Sequence, residues 1–231
     1  MTALLRRLID IKPEEVRAAL WSCAYFFFVL ASYYILRPIR DDAGVAGGIK
    51  NLPWLFTGTM IAMLLVNPAF ASLVARLPRK RFIPLAYRFF VVNLIVFFFL
   101  FRYLPDDSRV WIGRIFYIWT SVFNLFVVSV FWGFMTDAFD SGQGKRLFGF
   151  IGVGGTLGGI VGPAITATLA NTLGIAGLLL VSAVFLELSV VCVRRLSAIF
   201  ALPDASRPEA SRGDEVIGGG MLEGVRSRAH V

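Results

Sequence analysis

The chain has 231 residues, of which 57% are hydrophobic and only 16% are charged, and its formal net charge is +8. A soluble globular protein usually carries about a quarter charged residues, so this composition excludes a water-soluble globule. The basic residues lie mainly at the ends of apolar stretches and between them. A nucleic-acid-binding protein needs a continuous basic face instead. The composition therefore predicts a protein whose partner is the lipid bilayer and not a nucleic acid.

Six apolar stretches follow one another along residues 18–195, and short charged or turn-rich segments separate them. About 20 consecutive apolar residues are needed for a helix to cross the hydrocarbon core of a bilayer. The sequence thus predicts an all-α polytopic membrane domain with six transmembrane helices. The predicted helices are Ala18–Leu36, Leu52–Val74, Phe82–Phe101, Trp111–Met135, Leu147–Ala170 and Leu173–Val193.

The distribution of Lys and Arg predicts the orientation of these helices. Basic residues concentrate in residues 1–17, between the second and third helices, between the fourth and fifth, and after the sixth. Cytoplasmic segments carry the excess of positive charge, so both termini should be cytoplasmic. The segment 196–231 is rich in Pro, Ser, Arg, Glu and Gly, which predicts a disordered cytoplasmic linker or tail. We expect an integral protein of a bacterial inner membrane.

Charged residues cluster at the end of the first predicted helix, where Arg37, Arg40 and Asp41 flank Pro38. Proline is expected to end or kink the helix there, which frees backbone groups to line a cavity. Arginine binds phosphate bidentately and keeps its charge when partly buried. One interpretation is an anionic-substrate site at the mouth of a translocation path. The other is an interfacial cap in which Arg–Asp pairs face water.

Two ionisable residues lie inside predicted helices, Arg88 in the third and Glu187 in the sixth. Such residues usually face the bundle interior or a water-filled cavity. Arg88 either forms part of a site or extends its charge to the cytoplasmic surface. Glu187 either pairs with Arg194 on nearly the same helical face or serves as a proton or substrate site. Asn124, in the fourth helix, is expected to hydrogen-bond between helices, with ligand contact as the alternative.

The fifth predicted helix carries glycines at a four-residue spacing. Gly154, Gly158 and Gly162 form one series, and Gly155 and Gly159 repeat it one residue later. Small residues at this spacing form a smooth face that lets another helix approach closely and slide. The sequence therefore predicts a tight helix contact along these five glycines.

No pattern typical of an enzyme is present in the sequence. The single histidine, His230, lies at the end of the tail, and there is no cluster of metal ligands and no nucleophile motif. We expect no catalytic activity, no cofactor and no metal.

Taken together, the six helices, the basic segment 75–81 and the glycine-rich helix ending at Gly162 and Pro163 resemble the N-terminal half of a major facilitator superfamily transporter. Two segments are similar to the ATP/ADP translocases of plastids and intracellular bacteria. Residues 35–41 resemble the ILRxxKD stretch of that family. The second segment comprises residues 131–134, 145–148 and 152–154, which resemble the region linking its fourth and fifth helices.

The resemblance implies a transporter half that moves an anionic solute, such as a nucleotide, by alternating access with a second six-helix half or a second copy. Arg37 matches an arginine of the family and Arg40 takes the place of its lysine; Arg88 and Lys145 are further candidate anion contacts. The alternatives are a truncated or non-transporting membrane protein, such as an assembly or regulatory subunit, and a transporter half for a different anion or a lipid.

Overall fold

The computed structural model describes residues 11–76 and 79–200, and regular secondary structure in these ranges is entirely helical. The predicted tail beyond residue 200 and the first ten residues lie outside the described part. The helices are α1 (Val16–Ala46), α2 (Leu52–Arg76), α3 (Arg79–Tyr103), α4 (Asp106–Ala138) and α5 (Ser141–Phe200), with a 3-10 turn at Ile49–Asn51 before α2.

All five helices of the described chain are long and apolar enough to cross a membrane. Length and local hydropathy are properties of continuous sequence, so the apolar stretches alone were sufficient to indicate this class. The prediction of an all-α fold is confirmed for the described residues, and the long apolar helices are compatible with an integral membrane protein.

The first helix extends beyond the predicted end at Leu36. It continues through Pro38 to Ala46, and Gly47 caps it. Proline removes one backbone donor and clashes with the carbonyl four residues earlier, but a helix embedded among neighbours tolerates this loss. The predicted helix end at Leu36 is therefore wrong. As a consequence, Arg37, Arg40 and Asp41 lie on a helix surface and not in a loop.

The last helix contains a sharp break at Gly174. Gly174 has φ 65° and ψ 178°, a conformation that is essentially restricted to glycine. The Phe139 ring lies 6.3 Å from Phe148 and 5.1 Å from Phe200, so residues near both ends of α5 meet the same side chain. The chain thus reverses at Gly174, and we call the limb before it α5a and the limb after it α5b. No extended loop separates the two limbs.

The α1 helix packs against α5a through the glycines named above. A Cβ atom at Gly158 would lie 2.6 Å from the Phe27 carbonyl oxygen, and one at Gly162 would lie 2.7 Å from Tyr34 Cβ. Both distances are shorter than a real Cβ contact, so only glycine permits this approach. The other three glycines also face α1: Gly154 meets Cys23, Gly155 meets Phe26, and Gly159 meets Tyr34.

Buried hydroxyl groups join α1 to both limbs of α5. The Ser32 and Ser182 side chains each donate to the other's backbone carbonyl, at 3.0 and 2.9 Å. The Thr166 hydroxyl donates to the Ile35 carbonyl at 3.0 Å. Small hydroxyl residues allow close helix approach and satisfy one another within lipid. Consequently α1 forms the centre of the described bundle.

Aromatic side chains fill the space between α1, α3 and α4. The Tyr25 and Tyr87 hydroxyls lie 2.6 Å apart, and Tyr87 donates to the Val127 carbonyl at 3.2 Å. Phe26 stacks on Phe131 with their ring centroids 4.1 Å apart. These contacts place α3 and α4 in register with the first half of α1.

The two ends of the bundle differ in the elements that meet there. At one end, which we call the Gly174 end, the C-terminus of α1, the start of α4 and Gly174 line a common cleft. At the other end, which we call the Glu15 end, Glu15 precedes α1 and contacts Arg146 near the start of α5. The α2 helix is the least packed, because Leu55 is its only buried residue among those whose side chains are described.

Candidate functional site

Arg40 is a largely buried cation between α1 and α4. Its side chain is 18% exposed, and its guanidinium carbon lies 4.3 Å from the centre of the Tyr117 ring. The nearest carboxylate is that of Asp41, 3.8 Å from Nη1. Its Nε is buried and lacks a hydrogen-bond partner among the described residues. Burying a charge costs free energy unless it is paired and hydrogen-bonded, so this guanidinium retains capacity for another anion.

The surroundings of Arg40 hold it in this place. A Cβ atom at Gly44, one turn further along α1, would lie 2.8 Å from the Tyr117 ring, so glycine allows the ring to fit beneath Arg40. Stacking of an arginine on an aromatic ring contributes about 0.5–2 kcal/mol, which orients the guanidinium without neutralising it.

A second arginine, Arg114 of α4, also stacks on an aromatic ring, but it was not singled out from the sequence. Arg114 has its guanidinium carbon 4.6 Å from the centre of the Trp111 ring. Its Nε is also buried without a hydrogen-bond partner in the part of the chain that the structure describes. The three-residue spacing of Trp111, Arg114 and Tyr117 places them on one helix face, and this spacing is visible in the sequence.

The two arginines follow one another along the contact between α1 and α4. Gly47 faces Arg114, since a Cβ atom there would lie 3.3 Å from its Nε, while Gly44 faces Tyr117. Gly44 and Gly47 are three positions apart on α1, and Arg114 and Tyr117 are three positions apart on α4; each spacing corresponds to a rise of about 4.5 Å. We call Arg40, Arg114 and their stacking rings Tyr117 and Trp111 the arginine seam. Two stacked guanidinium groups with unsatisfied donors are suited to bind phosphate or carboxylate.

Asn124 lies on the same α4 face as Tyr117, seven residues further along. Phe131, another seven residues on, contacts Phe26, so this face of α4 meets α1 along its length. Asn124 is partly buried, and no hydrogen bond from it is formed with the described residues. By this spacing Asn124 lies on the α4 face that meets α1.

Arg37 and Asp41 occupy a more exposed position than Arg40. Arg37 Nε lies 3.9 Å from Asp41 Oδ2, and the two side chains are 51% and 57% exposed. An exposed i,i+4 pair contributes about 0–1 kcal/mol. Arg37 and Asp41 thus form the kind of pair that the interfacial-cap interpretation describes, whereas Arg40 does not.

Arg88 and Glu187 pair with each other across two helices. Arg88 Nη2 donates to Glu187 Oε1 at 3.1 Å, and both side chains are about half-exposed. Of the two interpretations of Glu187, the structure favours a paired carboxylate, but the partner is Arg88 of α3 and not Arg194. Tyr87, beside Arg88, contacts Tyr25, which precedes Arg40 by fifteen residues, or roughly 22 Å of helix. This ion pair does not join the arginine seam.

Lys145 lies at the opposite end of the bundle from Arg40. It is exposed, and its neighbour Arg146 contacts Glu15, twenty-five residues before Arg40 and roughly 37 Å away along α1. The residues singled out from the sequence are thus divided among four places. Arg40 and Asn124 lie along the α1–α4 contact, Arg37 and Asp41 pair on the exposed surface of α1, Arg88 and Glu187 pair elsewhere, and Lys145 lies at the Glu15 end.

A buried carboxylate network at the Glu15 end was also missed. Glu15 is 6% exposed; it accepts hydrogen bonds from Arg146 Nη2 and Gln143 Nε2, both at 3.0 Å, and from the Lys12 backbone N–H at 3.1 Å. Burial raises the pKa of this carboxyl, but the three donors outweigh burial, so the pKa lies below its usual value. The network ties the start of α1 to the start of α5a. Glu15 precedes the first apolar stretch, so no local signal pointed to it.

Comparison with known proteins adds no relative. No protein-family model, curated protein or solved structure matches the chain. The functional argument therefore depends on the geometry of the arginine seam and on the sequence features described above.

Proposed function

We propose that the chain is one half of a secondary transporter of the major facilitator superfamily type, similar to nucleotide translocases, in a bacterial inner membrane. In this proposal α5a and α5b are the fifth and sixth spans. The reversal at Gly174 supports this count, since an unbroken 60-residue helix would be about 90 Å long, three times the hydrocarbon thickness. Both termini would then be cytoplasmic, and the Gly174 end would face outward.

The observation that carries the proposal is that Arg40 is largely buried and has an unsatisfied donor among the described residues. Its guanidinium is mostly removed from water, stacked on Tyr117 and unsatisfied at Nε among the described residues. On α4, Arg114 likewise stacks on an aromatic ring and has an unsatisfied Nε among the described residues. A purely structural arginine would be expected to use its buried donors on protein acceptors. An unsatisfied Nε on each of these two stacked guanidinium groups supports an anionic solute as the missing acceptor.

Transport by alternating access requires a partner surface and a mobile contact. Transporters of this superfamily bind solute between two six-helix halves near the membrane midplane. This chain supplies one half, so the proposal includes either a second six-helix half or a second copy. The glycine contact between α1 and α5a would permit small sliding movements within the half, because no side chain interlocks the two backbones.

A non-transporting membrane protein is the second candidate, and one observation favours it. Arg88 and Glu187 pair with each other, and Lys145 lies at the far end, so these three charged residues do not meet Arg40 in one cavity. An assembly or regulatory subunit needs only the stable bundle. Under this alternative the arginine seam orients the helix ends at the membrane surface and binds no solute.

The test compares nucleotide binding and uptake in proteoliposomes, with and without a candidate second half. We expect ATP to bind to the parent protein and Arg40→Ala to weaken binding by about 10- to 150-fold, the loss of one charge-assisted contact. Arg195→Ala, an exposed arginine in the last turns of α5b, is the control and should bind like the parent. If ATP, ADP and simpler polyphosphates all fail to bind, or if Arg40→Ala binds them like the parent, the transporter proposal loses its support.

A further inference from the structure

A cationic cleft lies at the Gly174 end, and the arginines of the seam are not among its lining residues. Its volume is about 620 Å³, and it opens between the ends of α1 and α3, the start of α4 and the turn at Gly174. Arg102 of α3 and Arg109 of α4 line it, together with Asp42 of α1. Two guanidinium groups from different helices therefore share one cleft with one carboxylate.

The charges in this cleft favour an anionic ligand. Two arginines and one carboxylate line the cleft, and Arg109 also interacts with another residue. Asp42 makes no ion pair with Arg102 in the described structure, so it does not neutralise that guanidinium. Arg102 is exposed and lies in the last turn of α3, where its long side chain can adjust to a ligand. Arginine pairs at such positions hold phosphate oxygens bidentately.

The walls of the cleft are apolar, which distinguishes it from a site for a free anion. Phe98 and Phe101 of α3 form one wall, and Ile39 and Val110 contribute from α1 and α4. These side chains belong to the ends of apolar, membrane-length helices, the depth at which lipid headgroups meet acyl chains. A ligand that uses both parts of the cleft carries an anionic head and an apolar body. Basic pockets between transmembrane helices bind anionic lipid headgroups in this way.

We infer that this cleft binds an anionic phospholipid. Its phosphate contacts Arg102 and Arg109, and the upper part of an acyl chain lies against Phe98 and Phe101. The site is independent of the proposed transport function, since neither arginine of the seam lines the cleft.

The experiment measures lipid binding to the full chain in detergent by native mass spectrometry. The titrated lipids are phosphatidylglycerol and the zwitterionic phosphatidylcholine, and sn-glycerol 3-phosphate is the soluble competitor. We expect phosphatidylglycerol to bind about 10-fold or more tightly than phosphatidylcholine. The double variant Arg102→Gln, Arg109→Gln should lose this preference. Lys50→Gln, an exposed cation in the turn before α2 that does not line the cleft, is the matched control and should retain it.

A further variant covers the case in which the double variant does not fold. Asp42→Asn removes the only carboxylate among the cleft's lining residues and should raise the affinity for phosphatidylglycerol but not for phosphatidylcholine. Equal affinity for the two lipids, unchanged affinity in Asp42→Asn, or displacement of the lipid by equimolar sn-glycerol 3-phosphate would each overturn the inference. ATP uptake is measured separately, so failure of this inference leaves the transport proposal standing.

Discussion

Replacing Gly158 tests the contact between α1 and α5a most directly. In Gly158→Ala the new Cβ atom would lie 2.6 Å from the Phe27 carbonyl oxygen and 2.8 Å from the Ala31 nitrogen, whereas ordinary contact begins at 3.4 Å. Both atoms belong to the α1 backbone and cannot rotate away, so the helices must separate by roughly 0.8 Å. A gap of about 0.5–1 Å forfeits a quarter to a half of each dispersion contact along the interface.

The expected cost of Gly158→Ala is about 1–3 kcal/mol, the usual range for overpacking. Alanine has a higher helix propensity than glycine by about 1 kcal/mol, which offsets part of this cost. Gly158→Leu gains slightly less propensity than Gly158→Ala and adds three further carbon atoms, so its loss of stability should be larger. For a chain of this length each kcal/mol lowers the melting temperature by about 2–4 °C.

The assay is the melting temperature of the detergent-solubilised protein, together with its accumulation in the membrane. Gly152→Ala is the matched control, because a Cβ atom at Gly152 in the same limb meets no atom within 4 Å. It should melt at or slightly above the temperature of the parent. If Gly158→Leu accumulates and melts like the parent, the glycine face is directed toward lipid and the packing argument is refuted.

Three further predictions address other parts of the molecule. Gly174→Ala should cost about 1–3 kcal/mol because its φ and ψ are restricted to glycine, while Gly149→Ala, in open helical space, should not destabilise; melting temperatures decide. Glu15→Gln should destabilise by about 1–3 kcal/mol at neutral pH by weakening the bonds from Arg146. The folded pKa of Glu15 is lowered, so this difference should be complete above its usual pKa of 4.5 and disappear as the pH falls through the folded value; a constant difference down to pH 2 would contradict it. Arg40→Lys should retain part of the nucleotide affinity that Arg40→Ala loses, since charge persists without bidentate geometry; equal affinity of parent, Lys and Ala variants in an equilibrium binding assay would remove Arg40 from the site.

The contrast between Arg37 and Arg40 shows why a motif alone did not identify the site. The two arginines are three residues apart and carry the same charge, yet Arg37 is half-exposed and Arg40 is largely buried on Tyr117. Their difference arises from the position of α4, whose Tyr117 covers Arg40 but not Arg37. A linear pattern records charge and spacing but not which face of a helix a neighbour covers.

The sequence by itself determined the class of the protein and the approximate place of its helices. Apolar length and helix propensity act locally, so five membrane-length helices were predictable, as was a break between Ala170 and Leu173, close to the observed one at Gly174. The end predicted at Leu36 was wrong because the local effect of Pro38 is overridden by the packing of α1 against its neighbours.

Only the tertiary structure decided which polar groups meet. The Glu15–Arg146 and Arg88–Glu187 pairs join residues 131 and 99 positions apart, and the stacking of Arg40 on Tyr117 likewise joins two helices. Each pairing depends on helix order and rotation, which follow from the summed packing of many side chains and glycine faces. The identity of a residue gives its charge and polarity, whereas its burial and its interaction partners depend on how the helices pack.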